Sequence, residues 1–187
     1  DLNRQTGVLA SNGSKLTVGD TEVSGKESTG VIAESGSKAT AGNVKVSGEY
    51  MTGASAYGGS TVHVKGDVTA TGENSVGIDG ETGTIKVGGD VSGIEAVVAR
   101  GEADVTVGGS VSGTLSGIVA VGNASVSVKG DAETKVGPGV FAQENATVTV
   151  DGNVTGGTFY GAPEGYEYVY PAIIAGAGTT VIVKGTV

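Results

Sequence analysis

The sequence predicts an all-β chain wound as a right-handed parallel β-helix, a β-solenoid of about seven coils of 20–23 residues with three short strands per coil. Three observations carry this: a strand-like triplet that returns at a nearly fixed step, a glycine that follows it each time, and a second and third apolar segment closing every unit. The triplets are Leu16-Thr17-Val18, Ala39-Thr40-Ala41, Val62-His63-Val64, Ile85-Lys86-Val87, Val105-Thr106-Val107, Val126-Ser127-Val128, Val148-Thr149-Val150 and Val181-Ile182-Val183, with steps of 23, 23, 23, 20, 21, 22 and 33 residues.

Each first strand alternates apolar, polar, apolar, the period of a half-buried strand. A corner follows, with Gly19, Gly42, Gly66, Gly89, Gly109, Gly130, Gly152 and Gly185, and the next position reads Asp20, Asn43, Asp67, Asp90, Ser110, Asp131, Asn153 and Thr186. Asp and Asn suit a corner by bonding their own backbone, and Gly by tolerating positive φ. A second strand, such as Val44-Lys45-Val46 or Val68-Thr69-Ala70, ends at Gly25, Gly48, Gly72, Gly93, Gly113, Gly137 or Gly156. The third segment reads Val31-Ile32-Ala33, Ala54-Ser55-Ala56, Val76-Gly77-Ile78, Val97-Val98-Ala99, Ile118-Val119-Ala120, Val140-Phe141-Ala142 and Ile173-Ile174-Ala175. Stacked at about 4.8 Å, such coils align equivalent positions into continuous apolar columns, and seven give a rod on the order of 30 Å long. The two corner columns hold 15 of the 36 Gly. A sandwich has no reason to repeat its corner residues at a fixed period, and a propeller blade needs about 40 residues.

Residues 1–187 read as a single solenoid, expected to be a fragment of a longer array, with residues 1–13 able to cap its start. The 33-residue step contains an insertion at residues 158–171, which holds Phe159, Tyr160, Tyr166, Tyr168 and Tyr170, five of the eight aromatic residues. Solenoid insertions loop out, and Tyr offers a flat apolar face with a hydroxyl for a sugar or a protein. The alternative is that these rings fold back and seal the solenoid's own flank. Alternation turns Ile32, Val98, Val119, Phe141 and Ile174 outward as an apolar stripe, which the insertion is expected to cover in part. Phe159, Tyr160, Tyr166, Tyr168, Tyr170, Phe141 and Ile174 are therefore the candidate binding residues. The glycine-free run from Glu167 to Ala175 is where function is sought.

The chemistry of an enzyme is poorly represented. Outward positions of the third segment read Glu34, Tyr57, Asp79, Arg100, Val121 and Gln143, and Asp79 beside Arg100 is an ion pair between coils rather than an acid–base pair. The one histidine, His63, lies between Thr40 and Lys86 in an outward column with no triad or metal-ligand spacing around it. Asp67 and Asp90 in successive coils are explained by turn chemistry, since Ser110 and Asn153 serve the same position without charge. No catalytic residue, metal or cofactor is assigned. Gly88-Gly89 and Gly108-Gly109 lack the helix that a phosphate loop needs. A flat ice-binding Thr ladder is interrupted by His63 and Lys86. With 20 acidic against 11 basic residues and a net charge of −9, nucleic acid is not an expected partner, and no apolar run is long enough to insert in a membrane. The absence of Cys excludes disulfides and thiol chemistry.

The phrase Ala146-Thr147-Val148-Thr149-Val150-Asp151-Gly152-Asn153-Val154-Thr155-Gly156 resembles the repeat units of large bacterial surface β-helices, adhesin-like proteins and, more distantly, autotransporter passenger domains. The resemblance covers roughly residues 14–187 and is compositional. It implies a secreted or cell-surface location and a stalk, adhesion or interaction role, and carries over no functional residue. The expected function is thus a non-enzymatic extracellular rod presenting an interaction surface, with a glycan or protein ligand at the Tyr-rich insertion and further coils or a stacking partner beyond Val187. A carbohydrate-binding or polysaccharide-degrading β-helix is the alternative.

Overall fold

The structure, a computed structural model, describes residues 4–161 and 166–187. It is a parallel β-solenoid of about seven turns, with no helix among the described residues. The first face is an eight-stranded sheet of β2 (Lys15–Thr17), β5 (Lys38–Ala41), β8 (Thr61–Val64), β11 (Thr84–Val87), β13 (Asp104–Val107), β15 (Ser125–Val128), β18 (Thr147–Val150) and β23 (Thr180–Val183). These are the eight triplets, and their pairing is in the register of the repeat, for example Ile85 beside Val105 and Val87 beside Val107.

The second face stacks β3 (Thr21–Lys26), β6 (Val44–Glu49), β9 (Val68–Thr71), the first part of β12 (Val91–Gly101), the first part of β14 (Val111–Gly122), β16 (Ala132–Thr134) and β19 (Val154–Thr155). The third stacks β1 (Thr6–Ala10), β4 (Thr29–Ala33), β7 (Thr52–Ala56), β10 (Val76–Gly80), the remainders of β12 and β14, β17 (Val140–Gln143) and β22 (Ile173–Ala175). Because β12 and β14 run through the corner without a break, both faces belong to one 13-stranded sheet. Residues 6–10 are a strand of the third face, with Val8 and Ala10 buried.

The core is the set of inward columns. Val62, Ile85, Val105, Val126 and Val148 stack on the first face, Val44, Val68, Val91 and Val111 on the second, and Val31, Ala54, Ile78, Val97, Ile118 and Val140 on the third; each is 0 or 1 % exposed. A single coil could not hide these side chains, so burial requires neighbours on both sides. The third strand carries small residues because it lies against the second. Gly30, Gly53, Gly77, Gly117 and Gly139 occupy one column in which an added Cβ would overlap the backbone of the next coil and, at most of them, a Val of the second face. This glycine column is a separate one from the two expected.

The corner after the first face is built differently from the turn chemistry expected. Each Asp, Asn or Ser side chain accepts the backbone N–H of the equivalent residue one coil on: Asp20 from Asn43, Asn43 from Asp67, Asp67 from Asp90, Asp90 from Ser110, Ser110 from Asp131, Asp131 from Asn153 and Asn153 from Thr186, at 2.7 to 3.1 Å. The glycine one residue earlier is needed for space, not for positive φ. A Cβ on Gly89 or Gly109 would overlap the Oδ1 of Asp67 or Asp90 in the preceding coil.

Register corrects one assignment. In the third coil Ile78-Asp79-Gly80, not Val76-Gly77-Ile78, pairs with Ala54-Ser55-Ala56. The outward column therefore runs Leu9, Ile32, Ser55, Asp79, Val98, Val119, Phe141 and Ile174, so the apolar stripe is interrupted by Ser55 and Asp79. Val98, expected to be exposed, is buried on the outer side, where the neighbouring ion pair of Arg100 with Asp79 crosses the coil step at 2.6 Å.

Candidate functional site

The insertion forms an antiparallel hairpin between the second and third faces of the seventh coil, β20 (Thr158–Gly161) and β21 (Tyr166–Val169). Residues 162–165, part of the expected binding insertion, lie outside the described residues. The hairpin's base is held by the solenoid. Gly157 donates to the Gly137 carbonyl at 2.7 Å, Thr158 to that of Lys135 at 3.0 Å, and Tyr170 to that of Gly157 at 2.9 Å. Gly157 is obligatory there, since a Cβ would collide with the backbone of Lys135 and Val136.

Pairing sorts the side chains. Residues directly opposite in an antiparallel pair share a face. Phe159 lies opposite Tyr168, and Tyr170, two residues along the strand, packs edge-on to Tyr168 with ring centroids 4.7 Å apart. Tyr160 lies opposite Glu167 and Thr158 opposite Val169, and the Tyr160 hydroxyl sits 3.5 Å from Glu167 Oε1. One face of the ribbon is therefore aromatic and the other mixed. Tyr166 pairs with Gly161 at the outer end.

The rings of Phe159, Tyr160 and Tyr168 are not sealed against the rod. Phe159 is 50 % exposed, Tyr168 58 % and Tyr160 74 %, and Val169 is exposed as well, so the expected covering of the stripe is not made by these side chains. Phe141 and Ile174 pair in register in the third face of the sixth and seventh coils and are half-buried. The structure brings Phe159, Tyr168 and Tyr170 into one patch and leaves Phe141 and Ile174 in the sheet. The strand signal was present in the sequence, as Thr158-Phe159-Tyr160 and Tyr166-Glu167-Tyr168-Val169 flank a Pro- and Gly-containing break.

The charged groups elsewhere are arranged in pairs between coils: Arg4 with Glu27, Lys26 with Glu49, Lys45 with Glu22, and Asp151 with both Lys129 and Lys184. Hydrogen bonds from Lys184 and Lys129 hold the Asp151 carboxyl below its ordinary range. Asp79 is pushed the other way, because burial outweighs the opposing pull of Arg100. His63 pairs in register with Thr40 and Lys86, as expected from the sequence. No group of three or more His, Asp or Glu with metal-holding geometry occurs among the described residues. Comparison of the chain with known protein families, with curated proteins and with solved structures returns no match.

Proposed function

We propose that this chain is a non-enzymatic extracellular interaction module of a bacterial surface protein, in which a rigid β-solenoid presents the hairpin of β20 and β21 as its contact surface. One observation carries the reading: Phe159 and Tyr168, paired side by side, are half or more exposed on a ribbon anchored only at its base. Large aromatic side chains left in water cost about 25 cal/mol for each Å² of apolar area that a partner would cover, and Tyr and Phe are residues that anchor interfaces. The third-face ion pair of Asp79 with Arg100 supports a structural role for those side chains, because each neutralises the other instead of facing a substrate.

Immobilised glycans and immobilised candidate surface proteins, probed with the labelled chain, test this. Saturable binding to either that falls at least about tenfold in Phe159→Ala and Tyr168→Ala supports the reading, that being the usual cost of removing an anchor. Binding that both variants retain refutes the hairpin as the contact surface, and release of cleaved product from a glycan refutes the non-enzymatic reading.

A further inference from the structure

The steps of 20 and 21 residues in the fourth and fifth coils, against 23 in the third, have a structural result. The third and sixth coils turn from the second to the third face through loops at residues 72–75 and 135–139, whereas β12 and β14 pass straight through, with a register shift between Gly93 and Glu95. The fourth coil's corner is the shortest, and the loop at 72–75 stands above it on one side. On the other, the fifth-coil corner at Thr114 and Leu115 carries the sixth, with Lys135 N–H bonded to the Gly113 carbonyl and Val136 N–H to that of Thr114. The recess between is about 10 Å across, two strand spacings. Three depressions join along it. The first, about 350 Å³, lies by Asp67, Asp90, Ser110 and Glu133; the second, about 270 Å³, shares Ser92 and Ser112 with the first; the third, about 210 Å³, shares Ser75 and Ile94 with the second and ends at Leu115.

The three depressions differ in chemistry, with carboxylates and no cation lining the first, Lys135 lining the second beside Ser and Gly, and Glu95 and Asn74 lining the third beside Ile94 and Leu115. At one end Asp67, Asp90 and Glu133 have no Lys or Arg within ion-pair distance among the described residues. Asp67 and Asp90 each commit Oδ1 to a backbone N–H of the next coil, and Glu133 accepts from the Ser112 hydroxyl at 3.0 Å. The floor is hydroxyl-bearing, with Ser92 and Ser112 half-buried. At the other end Leu115 is 51 % exposed beside half-buried Ile94, with Glu95 and Asn74 on the same rim. From Val91 to Glu95 the trough is about 13 Å long at the rise of an extended chain.

We propose that this trough, separate from the hairpin, binds an extended peptide segment of a partner protein, four to six residues long, with basic side chains at the Asp67, Asp90 and Glu133 end and apolar side chains at Ile94 and Leu115. Charge complementarity selects the occupant. Uncompensated carboxylates attract a cation, while a second copy of this chain, with its net charge of −9, is repelled. A glycan is the weaker fit because no aromatic ring among the described residues lines the trough.

The test is fluorescence anisotropy of the labelled hexapeptide Arg-Arg-Ser-Ser-Leu-Leu and its reverse against the whole chain, at fixed low salt. At least one direction should bind saturably. Its affinity should fall at least about tenfold in the double variant Asp90→Asn with Glu133→Gln and in Leu115→Ser, and stay unchanged in Tyr168→Ala. Asn retains the acceptor that Asp90 gives the ladder, as Asn43 and Asn153 do, and far-UV circular dichroism verifies that each variant is folded. The proposal is overturned if neither peptide saturates, if a version with Glu in place of Arg binds equally, if the trough variants bind like the parent chain, or if cellohexaose displaces the peptide more effectively than unlabelled peptide does. Loss of binding in Tyr168→Ala alone would also overturn it, by moving the site to the hairpin.

Discussion

Gly109 and Asp90 show how one residue in this chain constrains another. Asp90 reaches one coil onward to the N–H of Ser110, and Gly109, immediately before it, leaves the space through which the side chain passes. Gly109→Ala places a methyl group on that carboxylate and near the Gly89 backbone, so it should cost about 3 kcal/mol, at the upper end for overpacking. Asp90→Asn keeps the acceptor and should change stability by no more than about 0.5 kcal/mol. Asp90→Ala, leaving an N–H that water can reach, should cost about 1 kcal/mol. Urea denaturation of the three variants checks this order; equal losses would show that the column is only a set of turn residues. The column itself was legible in the sequence because its members recur at the repeat step. Its mechanism was not, since a bond to the residue one coil away and a bond to the local backbone use the same residue types.

Among the elements, the third-face strands carry both the clearest and the least legible information. Their apolar members were readable from alternation, but the alignment of the third coil slipped by two residues because Val76-Gly77-Ile78 and Ile78-Asp79-Gly80 both present small and apolar positions, and only pairing with Ala54-Ser55-Ala56 distinguishes them. The result is a partly buried carboxyl between Ser55 and Val98. Its folded pKa is raised, so the folded state holds the proton more tightly than the unfolded one, and Asp79 adds stability as pH falls through that raised value. Asp151 has the opposite sign: its pKa is lowered by Lys184 and Lys129, so its contribution is full above the unfolded pKa and is lost as pH falls through the folded one. In urea titrations from neutral pH to about pH 3, spanning the carboxyl range, the stability of the parent chain relative to Asp79→Asn should rise with acidification. Relative to Asp151→Asn it should fall. The same sign for both would contradict the placement of one of them. The hairpin, read from sequence as a loop, was legible as an insertion because it breaks the step. Its pairing depends on which residues face each other, which spacing alone does not give.

At the scale of the whole molecule, the rod and the hairpin are held by different means. The rod buries columns of Val, Ile and Ala between coils and repeats its ladder of side-chain bonds along one corner. The hairpin pairs with itself as a two-stranded sheet and leaves Phe159, Tyr160 and Tyr168 half or more exposed. A ribbon of this kind adds little to the stability of what carries it. Under the proposed function, its role is contact with a partner. The bond from Tyr170 N–H to the Gly157 carbonyl already closes the coil beneath it, so excision of residues 158–169 joins two positions that are adjacent. The decisive measurement is the melting temperature of that excised chain. If the hairpin serves contact and not folding, Tm should stay within about 3 °C of the parent, close to the shift that 1 kcal/mol produces in a domain of this size; a fall of more than about 8 °C would show instead that the hairpin is part of what holds the solenoid together.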